Sequence, residues 1–178
     1  MIFLLSALLT LSDYETALVD RLKESVVLAE EGHSKLSKEV LDIPGMSSSK
    51  VRHFLNNICS DLNTCYLEIG CWQGSTLVSA LYGNQAEAYA IDNWSQFSGP
   101  FQAFKKHCAD FLPGNALSFF SQDCFAVDPT TFIPKKVNVY FYDGDHRFVD
   151  QRDAFLFYDS VLDDSFIAIV DDWNWNQV

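Results

Sequence analysis

Basic residues are scarce: twelve Lys and Arg stand against 24 Asp and Glu in 178 residues, for a formal net charge of −12. No concentrated basic strip is present that could neutralise a phosphate backbone, so nucleic acid is a poor partner and an anionic membrane surface is disfavoured. The balance leaves room for a divalent cation or for a neutral or cationic small molecule. Paired cysteine motifs are also missing. The five cysteines form neither CxxC pairs nor a zinc-finger rhythm and are odd in number, which points to reduced thiols, with Cys65 and Cys71 as small buried hydrophobes. Long hydrophobic runs are absent too. The opening MIFLLSALLTL falls far below spanning length, has no basic leader and meets acidic sequence without a clear cleavage site. It is expected to be a helix or arm packed on the domain or on a second subunit, rather than a signal peptide, and the location expected for the protein is cytoplasmic.

What the chain has is apolar and aromatic material, 48% and 15% of residues with 15 Phe and 4 Trp. That suffices for one well-packed domain of ordinary size. Residues 13–31 are helix-compatible through Leu18, Leu22, Val26 and Leu28; Ile43-Pro44-Gly45 and three serines punctuate the chain, and VRHFLNNICSDL reads as a short amphipathic helix. From Cys65 the pattern alternates strand and helix: CYLEIG, GSTLVSALYGN, EAYAI, PFQAFKKHCADFL, LSFFSQ, VNVYFYD, a helix over 148–162 and SFIAIVDD. Five near-continuous apolar strands suit the centre of a parallel sheet covered on both faces. The expected class is α/β, a doubly wound, mostly parallel Rossmann-like sheet of about five strands preceded by N-terminal helices. The helix after Asp145 is expected to bury Phe148, Phe155, Tyr158 and Leu162 and to wet Asp150, Arg152, Asp153 and Asp159.

Ligands of open α/β sheets bind at the carboxyl ends of the strands. YLEIGCWQGST places Glu68, Gly70 and Gly74 at the end of the first strand and the start of its helix. Gly70 permits a tight turn, and Gly74 permits close approach of a ligand or simply completes a structural turn. Asp92 ends the second strand, where a carboxylate can accept from both hydroxyls of a ribose; Trp94 would then cover an adenine or close the core. Gln122 and Asp123 follow the third strand at the same rim, in reach of an adenine edge or as ordinary loop residues.

Through 68-EIGCWQG-74 and 91-IDNW-94 the chain resembles the class I S-adenosylmethionine-dependent methyltransferases. The resemblance implies that Gly70, Cys71, Trp72 and Gly74 wrap the methionine moiety while Glu68 organises the motif. It further implies that Asp92 holds the ribose, beside Asn93 and Trp94, and that Asp123, with Gln122, lies near the adenine. A dinucleotide reading fits less well because a correctly placed third glycine is missing.

Two apolar runs, VNVYFYDGDHRF and DSFIAIVDDW, each end in carboxylates. On a parallel sheet Asp143, Asp171 and Asp172 share one rim, where three oxygen ligands suit Mg²⁺ and would otherwise repel one another. Capping for Asp145 and a turn role for Asp172 are the alternatives. The terminal pattern is similar to metal-dependent small-molecule O-methyltransferases of the macrocin and catechol types. That similarity implies a metal at Asp143, Asp171 and Asp172, with Asp143 also at the cofactor. The catechol type has Asn in place of Asp172 and a lysine in place of His146. His146, or alternatively Asp145, is the candidate base for an acceptor hydroxyl, against a salt-bridge role for the histidine. Trp173 and Trp175 are candidates for an apolar acceptor wall or an interface; His53 and His107 read as ordinary histidines.

The resemblance covers roughly 60–178, with 1–59 as a helical extension, and the family fold usually continues into two further strands. Strand five is therefore expected to need cover from the N-terminal helices or from a second copy of the chain. An S-adenosylmethionine-binding domain without turnover, and an NAD-binding oxidoreductase, are the competing functional readings.

Overall fold

The computed structural model describes residues 11–172; the apolar opening through residue 10 and the Trp173 and Trp175 assignments lie outside the described residues. Three helices come first: α1 (Asp13–Glu30), α2 (Lys38–Leu41) and α3 (Ser49–Ile58). Alternation follows as β1 (Cys65–Ile69), α4 (Ser75–Leu81), β2 (Glu87–Asp92), α5 (Phe101–Phe111), β3 (Ala116–Ser121), α6 (Pro129–Phe132), β4 (Val137–Tyr142), α7 (Phe148–Tyr158) and β5 (Leu162–Val170).

The five strands form one parallel sheet in the order β3-β2-β1-β4-β5. The order reverses between β1 and β4, so their C-terminal ends open a crevice at the topological switch point. Period-two alternation sends Tyr66, Ala88, Ala90, Val139 and Phe141 to one face, against α1, α3, α4 and α5. Leu67, Ile69, Tyr89, Ile91, Tyr140 and Tyr142 go to the other, against α7 and the segment after β3. Covering on both faces explains the near-continuous apolar runs of β1 and β4, which are broken only by Glu68 and Asn138 and are buried at every residue.

The same expectation fails for β3. It is an edge strand flanked among the described residues by β2 alone, and Phe119 stays 37% exposed although its ring touches Phe101 and Phe104 of α5. On α7 the face against the sheet runs through Gln151, Ala154 and Tyr158, with Phe155 partly buried. Phe148, expected inside, is 59% exposed, and Leu162 has already entered β5.

The N-terminal helices share the first core. Leu18, Val40, Leu55 and Ile58 are buried with Leu77 and Val78 of α4. Asn56 of α3 donates to the Ser79 and Tyr82 carbonyls at 2.8 and 2.9 Å. Ser12 and Glu15 form a capping box at the start of α1, and Glu15 also accepts from the Ser165 hydroxyl of β5 at 3.3 Å. Thus α1 reaches the outer strand that lacks a second neighbour among the described residues.

Candidate active site

Gly70 leaves β1 with φ +88°. An added Cβ would lie 1.9 Å from the Asp143 carbonyl oxygen, so the exits of β1 and β4 meet through bare backbone. Gly74 begins α4 at φ +83° and faces Phe104. Between them the loop is tied from several sides. The Cys71 and Trp72 amides donate to Asp92 Oδ2, both at 2.8 Å, and the Trp94 amide donates to Asp92 Oδ1 at 2.6 Å. Trp94 Nε1 donates to the Trp72 carbonyl at 2.7 Å. His107 Nδ1 lies 2.8 Å from the Gln73 carbonyl, a partner that only accepts, so that nitrogen carries the proton.

Glu68 sits beneath this loop with no solvent exposure. It accepts from the Tyr66 hydroxyl at 2.6 Å and the Thr76 hydroxyl at 2.7 Å, joining β1 to the first turn of α4. Burial pushes its carboxyl up to about 7, against the lowering effect of these hydrogen bonds. Neither partner was assigned from the sequence: Tyr66 could have been found two residues away on the same strand face, whereas 34 residues separate His107 from Gln73.

On the neighbouring strands, the Asp143 amide donates to the Ile69 carbonyl at 2.8 Å and the Asp171 amide to the Tyr142 carbonyl at 2.9 Å, extending the ladder into the acidic rim. The side chains of Asp143 and Asp171 are hydrogen-bonded to each other. Burial foremost, then the charges of Asp171 and Glu68, push the Asp143 carboxyl up to about 9, which favours its protonated form at neutral pH.

The expected three-carboxylate metal cage is not formed: among the described residues no three His, Cys, Asp or Glu side chains gather closely enough to hold an ion. Asp172 leaves the strand at φ +49° and turns its carboxylate, 48% exposed, to within 3.9 Å of His146 Nε2. What remains is a two-carboxylate donor set, which fits Mg²⁺ because that ion commonly takes one or two protein carboxylates and keeps its other positions for water or substrate oxygen.

No protein-family model matches this chain, and no curated protein matches it. Solved structures do. A candidate caffeoyl-CoA O-methyltransferase from Staphylococcus aureus superimposes with a TM-score of 0.58 at 16% identity over 90% of this chain and 73% of its own. The Podospora anserina methyltransferase PaMTH1, bound to S-adenosylhomocysteine (SAH), gives 0.58 at 15% over 94% and 73%. This chain has the fold of the class I S-adenosylmethionine-dependent methyltransferases. Cofactor-bound Rv0187 from MTB shares this methyltransferase fold, with a TM-score of 0.56 at 13% identity over 93% and 67%.

Within the methyltransferase fold, Glu68, Gly70, Cys71, Trp72, Gly74 and Asp92 all lie together at the exits of β1 and β2. Trp94 is 7% exposed and packs on Phe101 and Phe104 at centroid distances of 4.4 and 4.8 Å, so its ring closes the core beside the loop. Asn93 caps its own turn by accepting from the Ser95 amide at 2.9 Å. Asp123 accepts from the Phe125 amide at 2.9 Å, and Gln122 lines a cavity of about 390 Å³ beside Phe120 and Phe132 at the β3 edge. Asp145 is engaged by Arg147, through its amide at 3.1 Å and its Nε at 3.2 Å; the helix N-cap is Arg147 itself. No helix among the described residues is long and apolar enough to cross a membrane.

The two raised carboxyls of this methyltransferase fold set a pH dependence. Their folded values lie above the ordinary 4.5 of Glu68 and 3.8 of Asp143, so the native state holds these protons more tightly than the unfolded chain. The stability they add is complete at acid pH and is lost as pH rises, through about 7 for Glu68 and about 9 for Asp143. Thermal unfolding midpoints are expected to fall between about pH 5 and pH 9, and Asp143→Asn to flatten the alkaline part of the fall. A wild-type midpoint that rises through that range would contradict the buried carboxyl pair.

Proposed function

We propose that this chain binds S-adenosylmethionine at the exits of β1 and β2 and transfers its methyl group to the oxygen of a small organic hydroxyl compound. The observation that carries the reading is the Asp92 bridge. Its hydrogen bonds to the Cys71 and Trp72 amides draw the carboxylate that is the candidate ribose partner against the glycine loop, one strand away from the Asp143–Asp171 pair. The SAH-bound Podospora anserina neighbour supports a nucleoside methyl donor on this fold.

The chemistry needs an acceptor oxygen aligned with the sulfonium methyl and a place for its proton. The oxygen–carbon bond forms as the carbon–sulfur bond breaks, and SAH leaves. His146 would take the hydroxyl proton, a role supported by Asp172 at 3.9 Å, whose charge would offset the one the histidine gains. Asp143 and Asp171 are the residues that would hold Mg²⁺, and a bound ion would supply positive charge that lowers the acceptor's pKa and orients it. Loss of the Asp143 proton would accompany ion binding. The acidic surface fits a neutral or cationic acceptor better than nucleic acid. Cofactor binding without turnover is the second reading, favoured by the two-carboxylate donor set in place of three.

Calorimetry with S-adenosylmethionine and with NAD⁺, each with and without Mg²⁺, separates the classes: selective binding of the methyl donor is expected, and NAD⁺-selective binding would end the proposal. Asp171→Ala is expected to lower Mg²⁺-supported methylation at least about 100-fold, the scale of several kcal/mol of charge stabilisation, while donor affinity stays unchanged. Donor binding with no methylation of any hydroxyl compound in a broad panel would leave the second reading.

A further inference from the structure

Asp92 is expected to grip both hydroxyls of a ribose, yet its carboxylate is already occupied. Oδ2 accepts two amides, from Cys71 and Trp72, and Oδ1 accepts the Trp94 amide. A carboxylate offers about four lone-pair directions, two per oxygen, so Oδ2 is full and one direction remains on Oδ1. A diol that pairs with both oxygens must first displace an amide from Oδ2.

Trp94 determines whether that amide can leave. The peptide units around Trp72 are held at both ends: the N–H by Asp92 and the C=O by the Trp94 indole N–H at 2.7 Å. Trp94 is itself pinned by its amide on Asp92 and by its ring against Phe101 and Phe104. The result is a closed ring of hydrogen bonds running Trp72 N–H, Asp92, Trp94 amide, Trp94 indole and back to Trp72 C=O. Both tryptophans sit at positive φ, +43° and +49°, a conformation uncommon for bulky residues. The Trp72 ring lies edge-on to Phe97 at 6.4 Å, and Phe97 is 62% exposed.

We propose that Trp94 is a positioning residue that, with Asp92, clasps Trp72 in a closed arrangement, and that this clasp must open before a ribose can engage Asp92. The inference rests on the S-adenosylmethionine reading. It gives Trp94 a task other than touching the cofactor, and it makes donor entry a gated step, with opening ahead of association. Apparent affinity is then reduced by the fraction of molecules whose clasp is open.

The test follows intrinsic tryptophan fluorescence after rapid mixing of the full chain with SAH. For the wild type the observed rate should rise with SAH and level off at a ceiling set by opening. Trp94→Phe keeps a ring in the core but lacks the indole donor, and its ceiling should rise about fivefold, the equivalent of one hydrogen bond that no longer has to break. Phe101→Leu is the packing control: it disturbs the ring beside Trp94 and leaves the hydrogen bond, so its ceiling should match the wild type even if its thermal midpoint falls. A wild-type rate that stays linear in SAH, an unchanged ceiling in Trp94→Phe, or an equal rise in Phe101→Leu each overturns the clasp while leaving the cofactor reading intact. Absence of any SAH binding to the wild type in calorimetry overturns both.

Discussion

Gly70→Ala is expected to lower the thermal midpoint by roughly 10 °C and to abolish measurable donor binding, because two costs coincide at that position. The residue lies at φ +88°, where a side chain costs about 1–2 kcal/mol. Its Cβ would also stand 1.9 Å from the Asp143 carbonyl oxygen and 2.5 Å from the carbon behind it. That obstacle is the backbone of β4's exit, so relief requires the two central strands to part, at about 1–3 kcal/mol for the overpacking. Parting them breaks the contact between Ile69 and the Asp143 amide, and with it the rim on which the acidic pair stands. Gly114→Ala supplies the comparison: φ is +86° but nothing lies within 4 Å of an added Cβ, so only the conformational cost applies. Equal midpoints for the two variants, measured side by side by calorimetry or circular dichroism, would show that the close approach at Gly70 does not exist.

The second large effect is expected from Asp92→Ala. Removing the carboxylate takes the acceptor from three backbone amides at once and deletes the candidate ribose partner. Hydrogen bonds to a charged group contribute about 1.5–3 kcal/mol each, less where water can reach the amides, so SAH affinity should fall at least about 100-fold. The unliganded protein should also lose several degrees of thermal stability, since the glycine loop is left tied through the Gly70, Gly74 and Gln73 contacts and the Trp94 indole. Titration calorimetry and thermal unfolding read these two losses separately. An Asp92→Ala protein that binds SAH within about threefold of the wild type would remove Asp92 from the binding site.

These two residues also show how far the chain could be read before its structure was seen. Gly70 and Asp92 were legible because each ends an apolar run, and parallel strands bring such ends to one rim wherever the strands sit in the sheet. The order of the strands followed less directly. That β3 and β5 are edges depends on which strands pair, so the apolar pattern of LSFFSQ suggested burial that an edge position does not provide. Phe148 was misplaced for a related reason: its spacing matches the buried face of α7, but only packing decides which helical stripe meets the sheet.

The acidic rim divides in the same way. Asp143 and Asp171 meet across adjacent strands because the β4–β5 register carries both to the same level, and pairs Tyr142 with Val170 just before them. Asp172 departs because one backbone angle turns it outward, and no spacing in the sequence encodes that sign. The occupation of Asp92 was equally hidden, since two of its three amide donors lie 20 and 21 residues earlier in the chain.

By itself the sequence determined an alternating α/β chain with a glycine turn after its first strand and carboxylates after its second, fourth and fifth. Local hydrophobic period and backbone permissiveness are properties of short stretches, which is why they could be read directly. Only the tertiary structure decided that the N-terminal helices share the sheet's core, that two rim aspartates pair by a hydrogen bond while the third turns to His146, and that Trp94 is tied to the glycine loop. Those outcomes depend on which buried polar groups find partners across long separations, and a hydrogen bond between distant residues exists only once the chain has folded around it.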